Sequence, residues 1–378
     1  MNQEGRPARL RADRAGPRRG VARQSRRLLL VVGGLVLCAL AIGCSIFSAP
    51  RYRGPMPRGA AFDGERFLNE DPVEPRSFWD VLKWKFNDDQ GPWRDWTVEP
   101  PGPPPPARVG PGELRVTFVN HATTLVQIDG LNIVTDPVWS ERVSPISFLG
   151  PSRVRPPGIR FDDLPEIDLV VVSHNHYDHL DLPTLERLRE AHNPRIFVGL
   201  GNAPTLRKAG IVKVTELDWW QSIPLRNGVK LTAVPAQHGS NRGLADRNRT
   251  LWAGFVFEGQ GGYAYFAGDT GFGPHFAGIR ERFGPPRLAI LPIGAFRPQW
   301  FMQPVHVSPA EAVQAHLSMG AKRSVAMHFG TFQLADDGQD EPVAELVAAL
   351  ARQGVPEDHF WVLGFGEGRD VPPVEDVR

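Results

Sequence analysis

Ser173 to Asp181 reads Ser-His-Asn-His-Tyr-Asp-His-Leu-Asp, and it directly follows Ile167 to Val172, an apolar and β-branched run of the length of a buried strand. Four side chains able to bind a cation, His174, His176, Asp178 and His179, therefore leave a sheet together. On an extended segment residues two apart point to the same side, so His174 and His176 can grip one ion while a bend brings Asp178 and His179 to a second. Imidazole and carboxylate donors suit zinc, and also iron or manganese. A polar loop rich in histidine by chance is the ordinary alternative. Three His and one Asp within six residues after a buried strand outweigh it.

Three further candidates stand where apolar runs end, and a rigid sheet can aim such residues into a cleft. His238 closes Val234-Pro235-Ala236-Gln237-His238, Asp269 closes Tyr265-Phe266-Ala267-Gly268-Asp269, and His328 closes Val325-Ala326-Met327-His328. Taken singly, each His reads as a satisfied core or surface residue. Taken with the first cluster they complete a set of five His and two Asp.

Short apolar runs predict strands at Leu114 to Phe118, Thr124 to Ile128, Leu131 to Thr135, Leu169 to Val172, Ile196 to Val198 and Val229 to Val234, with helices at Pro183 to Ala191 and Ala203 to Ala209. The second half repeats the style. Strands are predicted at Trp252 to Phe257, Tyr263 to Ala267, Leu288 to Ile293, Ser324 to His328 and Phe360 to Leu363, and helices near His275 to Phe283, Pro309 to Met319 and Pro342 to Gln353. Two strand-rich halves with helices predict an α/β sandwich of two mixed sheets, helices outside, over residues 113–370.

The first 112 residues read differently. Residues 1–27 are a basic arm, carrying nine Arg against Glu4 and Asp13 and leaving the remaining chain with 34 basic and 40 acidic side chains. A mildly acidic body argues against a nucleic-acid partner. Leu28 to Phe47 is an almost unbroken apolar run of bilayer-spanning length, so residues 28–48 read as a signal or membrane anchor with the positive flank in the cytoplasm. Ala41-Ile42-Gly43-Cys44 resembles a bacterial lipoprotein processing site, an uncleaved anchor being the other reading, and Ser25 to Leu30 resembles a twin-arginine export signal. Either way the body is expected in the bacterial cell envelope, outside the cytoplasmic membrane, anchored or exported. Both cysteines, Cys38 and Cys44, lie in this segment, so a metal site in the body must use His and Asp alone. Residues 49–112 read as a tether. Within it, Ser77 to Phe86 is an amphipathic helix with Ser77 and Asp80 as a capping pair, and Pro100 to Pro106 is a stiff spacer. The helix is expected to pack on the body, with docking at a membrane interface as the alternative.

The His-x-His-x-Asp-His run and the Ala267-Gly268-Asp269-Thr270 turn resemble the metallo-β-lactamase fold. Asn120-His121-Ala122-Thr123, Val134-Thr135-Asp136-Pro137, Glu216 to Trp220, Trp300-Phe301-Met302 and His328 to Phe332 more closely resemble the phospholipase D family that hydrolyses N-acylphosphatidylethanolamine. The likeness covers about Glu113 to Arg369. It implies a four-layer αββα sandwich and a two-zinc phosphodiesterase acting on such phospholipids. His174, His176 and His238 would hold one Zn2+ and Asp178, His179 and His328 the other, with Asp269 bridging. Two cations so close would lower the pKa of a shared water and give a bridging hydroxide near pH 7. Asp178 and Asp269 thus join the catalytic set, and Asp136 would orient a ligand His. His306 matches a cleft histidine of the family that could contact phosphate or assist the leaving group, and it also stands where Ser308 and Pro309 would start a helix. Val305 and Gly239 depart from the phospholipase pattern, which has a polar amide and an aromatic there; this implies an altered substrate pocket. A lactonase of the ascorbate-6-phosphate lactonase type is the alternative activity on the same fold.

Overall fold

Every apolar run after Glu113 finds a partner strand, and the result is two mixed sheets face to face. The computed structural model describes residues 48–374 apart from Pro75, Asn87, Asp88 and Leu244. The basic arm, the apolar run with Cys38 and Cys44, and the export and lipidation signals expected there lie outside the described residues. Among the described residues no helix is long and apolar enough to cross a membrane.

A short hairpin, β1 (Ala61–Phe62) with β2 (Phe67–Leu68), and helix α1 (Phe78–Phe86) come first. The first sheet uses β3 (Leu114–Asn120), β4 (Thr123–Ile128), β5 (Leu131–Thr135), β6 (Leu169–Val172), β7 (Arg195–Gly199) and β8 (Val214–Leu217), with α2 (Leu182–Ala191) and α3 (Ala203–Lys208) as crossovers. The second uses β9 (Ser222–Pro224), β10 (Lys230–Val234), β11 (Gly254–Gly259), β12 (Gly262–Phe266), β13 (Leu288–Pro292), β14 (Ser324–Met327) and β15 (Phe360–Trp361), interleaved with α4 (His275–Phe283), α5 (Gln299–Met302), α6 (Pro309–Met319) and α7 (Glu341–Gln353). A last strand, β16 (Gly368–Asp370), returns to the first sheet. The strand orders are β16-β3-β4-β5-β6-β7-β8 and β15-β14-β13-β12-β11-β10-β9, each with seven strands. Both sheets run antiparallel on one side and parallel on the other, the change falling at β5 and at β12.

Side-chain alternation sorts the layers. In β6, Leu169 and Val171 face the core shared with the second sheet, while Val170 and Val172 face Leu185 and Leu188 of α2. β7 does the same with Phe197 inward and Ile196 and Val198 toward the helices. Both faces of these strands are dry, which is why they read as continuous apolar runs. On the far side α4, α6 and α7 bury Phe276, Val313 and Leu346 against the second sheet. The architecture is the αββα sandwich, helix layers outermost. β10, β12 and β14 share one direction within the second sheet, and the residues that follow them meet those that follow β6 of the first.

Residues 49–71, expected as a polar tether, are bound to the body along their length. Phe67 is fully buried, its ring tilted against those of Phe62 at 4.8 Å and Tyr52 at 5.4 Å between centroids. Three backbone N–H groups, Arg58 to Ala60, donate to the Asp218 carboxylate. The Pro-rich stretch is likewise attached: Gly102 N–H donates to Gly158 O at 2.7 Å, and Pro106 O accepts from Gln127 Nε2 at 2.8 Å. Proline lacks a donor, but its carbonyl still anchors. Helix α1 forms with Ser77 and Asp80 capping reciprocally, and Trp84 packs on Phe301 with centroids 4.9 Å apart.

Candidate metal centre

The edge where β6, β10, β12 and β14 end is lined by histidine and aspartate. After Val172 the chain turns tightly, with the N–H groups of His179 and Leu180 both donating to His176 O. That turn sets His174 and His176 on one side and Asp178 and His179 on the other. His174 Nε2, His176 Nδ1 and His238 Nε2 converge, the first two 2.7 Å apart and the last two 3.3 Å. Asp178 Oδ2 lies 3.1 Å from His179 Nε2 and 3.5 Å from His328 Nε2.

Asp269 stands between the two groups. A single oxygen, Oδ2, is 3.2 Å from both His179 Nε2 and His328 Nε2, 3.9 Å from His238 Nε2 and 4.0 Å from His174 Nε2. Gly268 makes this approach possible. Its φ is +61°, and a Cβ there would sit 2.5 Å from Ser173 Cβ, so any side chain would push Asp269 away from β6.

The outward nitrogens of four of the five histidines are held as well, that of His328 having no hydrogen-bonding partner. His179 Nδ1 donates to Asp136 Oδ2 at 2.6 Å, and Asp136 also accepts from Ser173 N–H and Oγ at 2.6 Å each. His174 Nδ1 meets Ser173 Oγ at 2.9 Å, His176 Nε2 meets Asn241 Oδ1 at 2.9 Å, and His238 Nδ1 donates to Val305 O at 2.8 Å. Such partners fix tautomers so that the inward nitrogens present lone pairs. Asn69, in the bound N-terminal segment, exchanges hydrogen bonds with the backbone of His238 in both directions.

Electrostatics divide the site. Burial, reinforced by neighbouring histidines, holds His174 well below the ordinary imidazole range, and burial does the same for His238. They are neutral donors. Burial also opposes charge on His328, but Asp269 and Asp178 outweigh it and lift the imidazole to about 9; Asp269, Asp178 and Asp136 raise His179 well above its usual value. Burial alone would raise Asp178 and Asp269, yet His179 and its neighbours hold both well below the carboxylate range. His306 is partly buried, and that burial pushes it down to about 4; its Nδ1 is 3.9 Å from Asp269 Oδ2.

The donors fit divalent cations. His179 Nε2, His328 Nε2 and Asp269 Oδ1 are buried without a hydrogen-bonding partner; the imidazole nitrogens are near Asp269 Oδ2 but out of line for a hydrogen bond. Buried polar atoms without partners are costly, and the two imidazole nitrogens that face Asp269 Oδ2 would be satisfied by an ion joining them. All-imidazole and carboxylate donors suit zinc, iron or manganese alike.

The structure brings together His174, His176, Asp178, His179, His238, Asp269 and His328, with His306 at the margin. Asn241, His121, Ser173 and Asn69 carry no role in the sequence reading, His121 lying 2.9 Å from Asp178 Oδ2 through its Nε2.

Known proteins resemble this chain in sequence and in fold. The β-lactamase superfamily domain matches residues 131–329. An N-acyl-phosphatidylethanolamine-hydrolyzing phospholipase D of Caenorhabditis elegans is 42% identical over 267 residues, spanning 67% of this chain and 75% of that protein. The mitochondrial protein so described from Saccharomyces cerevisiae is 34% identical over 257 residues, 66% of this chain and 54% of the yeast protein. Among solved structures, a possible metal-dependent hydrolase from Veillonella parvula superposes with a TM-score of 0.56 at 18% identity, covering 68% of this chain and 99% of that one; this likeness concerns the fold.

Proposed function

The chain belongs to the metallo-β-lactamase superfamily and is a metal-dependent hydrolase, and from that premise we propose that it cleaves a phosphodiester bond of N-acylphosphatidylethanolamine-like phospholipids in the manner of a phospholipase D. The observation that carries the reading is Asp269 Oδ2, within 4.0 Å of imidazoles from both donor groups. One oxygen so placed can serve two cations at once. A pair of zinc ions held by His174, His176 and His238 on one side and Asp178, His179 and His328 on the other would activate water near neutral pH and neutralise phosphoryl charge.

The chain's own groups do the rest. Ser173, Asp136, Asn241 and Val305 O hold the imidazole rings in orientation. His306, neutral at pH 7 because burial takes it down to about 4, would meet a phosphoryl oxygen as a hydrogen-bond donor and not as a charge. Its neighbour Val305 and the small Gly239 after His238 would give a substrate pocket less polarity and bulk than the phospholipase pattern.

A lipid substrate is supported by the outer side of α1. Trp79 and Phe86 are 75% and 83% exposed, one stripe along the helix, with Lys83 between them and its Nζ 4.8 Å from the Trp300 ring centroid. Exposed aromatics beside lysines suit a bilayer interface. Purified chain loaded with Zn2+ is offered vesicles containing N-acylphosphatidylethanolamine and, in parallel, an ascorbate-6-phosphate-type lactone. The reading expects phosphatidic acid and N-acylethanolamine from the vesicles. Lactone opening without diester cleavage would overturn it.

A further inference from the structure

We propose that His121 is a positioning residue of the metal centre, holding Asp178 in place for the cation on the Asp178, His179 and His328 side. The proposal rests on the metal reading of the site and is independent of the substrate.

His121 occupies a place where sequence rules call for something else. It follows Asn120, the last residue of β3, and Thr123 opposite Asn120 begins β4, so His121 and Ala122 form a two-residue hairpin turn. Such turns favour Asn, Asp or Gly because φ must be positive. His121 has φ +46°, a conformation that costs a histidine backbone strain. It is also almost completely buried, whereas turn residues are ordinarily wet. A strained, buried histidine in a tight turn needs a compensating contact.

Its ring supplies one. Nε2 lies 2.9 Å from Asp178 Oδ2. An ionised carboxylate can only accept, so the shared proton sits on His121 Nε2 and the bond is charge-assisted. The same oxygen is 3.1 Å from His179 Nε2 and 3.5 Å from His328 Nε2, so His121 grips the very atom that faces the other donors. The backbone of His121 extends the brace. Its carbonyl accepts from His328 N–H at 2.7 Å, its own N–H donates to Thr331 Oγ1 at 3.1 Å, and the His121 and His328 rings stand 4.0 Å apart. His328 itself has φ +62°. The β3–β4 hairpin of the first sheet thus ties down one donor from its own sheet and one from the end of β14 in the second.

Two substitutions separate this role from the alternatives. His121→Asn keeps a residue that tolerates positive φ, and so keeps the turn, but its shorter amide cannot reach Asp178. His121→Gln places an amide nitrogen close to where Nε2 stands. Metal stoichiometry and stepwise affinity are measured on the purified full chain by Zn2+ titration against a competing chelator, with unfolding of the metal-free protein alongside. We expect His121→Asn to bind one of its two ions with affinity weakened about 10- to 100-fold. The affinity for the other ion should be unchanged and the metal-free protein should still unfold in one cooperative step, lowered by no more than the loss of one buried hydrogen bond, and His121→Gln should recover most of the lost affinity. Full two-ion affinity in His121→Asn would overturn the proposal. Loss in both variants without recovery in Gln would make His121 a direct ligand and overturn the positioning role. Wild-type protein binding a single ion would instead remove the two-ion reading on which the inference stands.

Discussion

Asp136→Asn tests how the site prepares its donors. The native carboxylate is fully buried and accepts three hydrogen bonds, from Ser173 N–H to Oδ1 and from Ser173 Oγ and His179 Nδ1 to Oδ2, each 2.6 Å. An amide of the same shape retains one acceptor. If that oxygen stays on Ser173 N–H, the new NH2 faces His179 Nδ1, which must then accept. The ring proton moves to Nε2, the atom 3.1 Å from Asp178 and 3.2 Å from Asp269 that a cation requires bare. Losing one charge-assisted hydrogen bond costs about 1.5–3 kcal/mol, and the wrong tautomer adds to it. That corresponds to metal affinity on the Asp178 side falling roughly 10- to 100-fold, as for other groups that orient ligands. The three-histidine side should keep its ion, although His174 feels the change through Ser173 Oγ. Zn2+ titration of wild type and variant, with circular dichroism to show that both are folded, reads the effect. Equal affinities for both ions would refute the idea that Asp136 sets the His179 tautomer.

Three further outcomes follow from the same physics. His179 and His328 carry protons at pH 7 in the metal-free chain, the second with a pKa of about 9, so metal binding should release about two protons; calorimetry in buffers of different ionisation enthalpy measures this, and heats independent of buffer would contradict it. His275 is buried with its Nε2 3.1 Å from Thr270 Oγ1, and burial lowers it to about 3, whereas the unfolded chain protonates near 6.5. Its contribution to stability is therefore complete above pH 6.5 and is lost as pH falls toward 3, at up to about 1.4 kcal/mol per pH unit; His275→Gln should flatten the acid limb of the denaturation profile by about one proton, and an unchanged slope would exclude the residue. Phe67→Ala empties a site with no exposed surface and should cost about 3–5 kcal/mol in denaturant unfolding; a loss under about 1 kcal/mol would mean the segment before α1 is dispensable.

What the sequence announced was local. Ser173 to Asp181 carries its chemistry within a few residues, and β5, β6 and β7 read as strands because both their faces are dry. What it concealed was long-range. Phe67 and Asn69 look like parts of a polar tether until Asn248 and His238, far along the chain, supply their partners. The strands β1, β2, β9 and β16 have two or three residues each and lie in small or edge positions, where periodicity has no length to register. His328 was expected inside a strand that ends at Met327; its positive φ takes it out of the ladder and aims the ring at Asp269. His121 could have been noticed as a histidine in a two-residue turn between apolar strands, but only the fold shows that its ring meets Asp178.

The central claim is that seven side chains, gathered around Asp269, hold a pair of ions. A crystal of zinc-loaded protein, measured on both sides of the zinc absorption edge, tests it most directly. The account predicts two anomalous peaks flanking Asp269, each about 2.0–2.2 Å from the donor nitrogens and oxygens named here. A single peak, or peaks remote from Asp269, would contradict it.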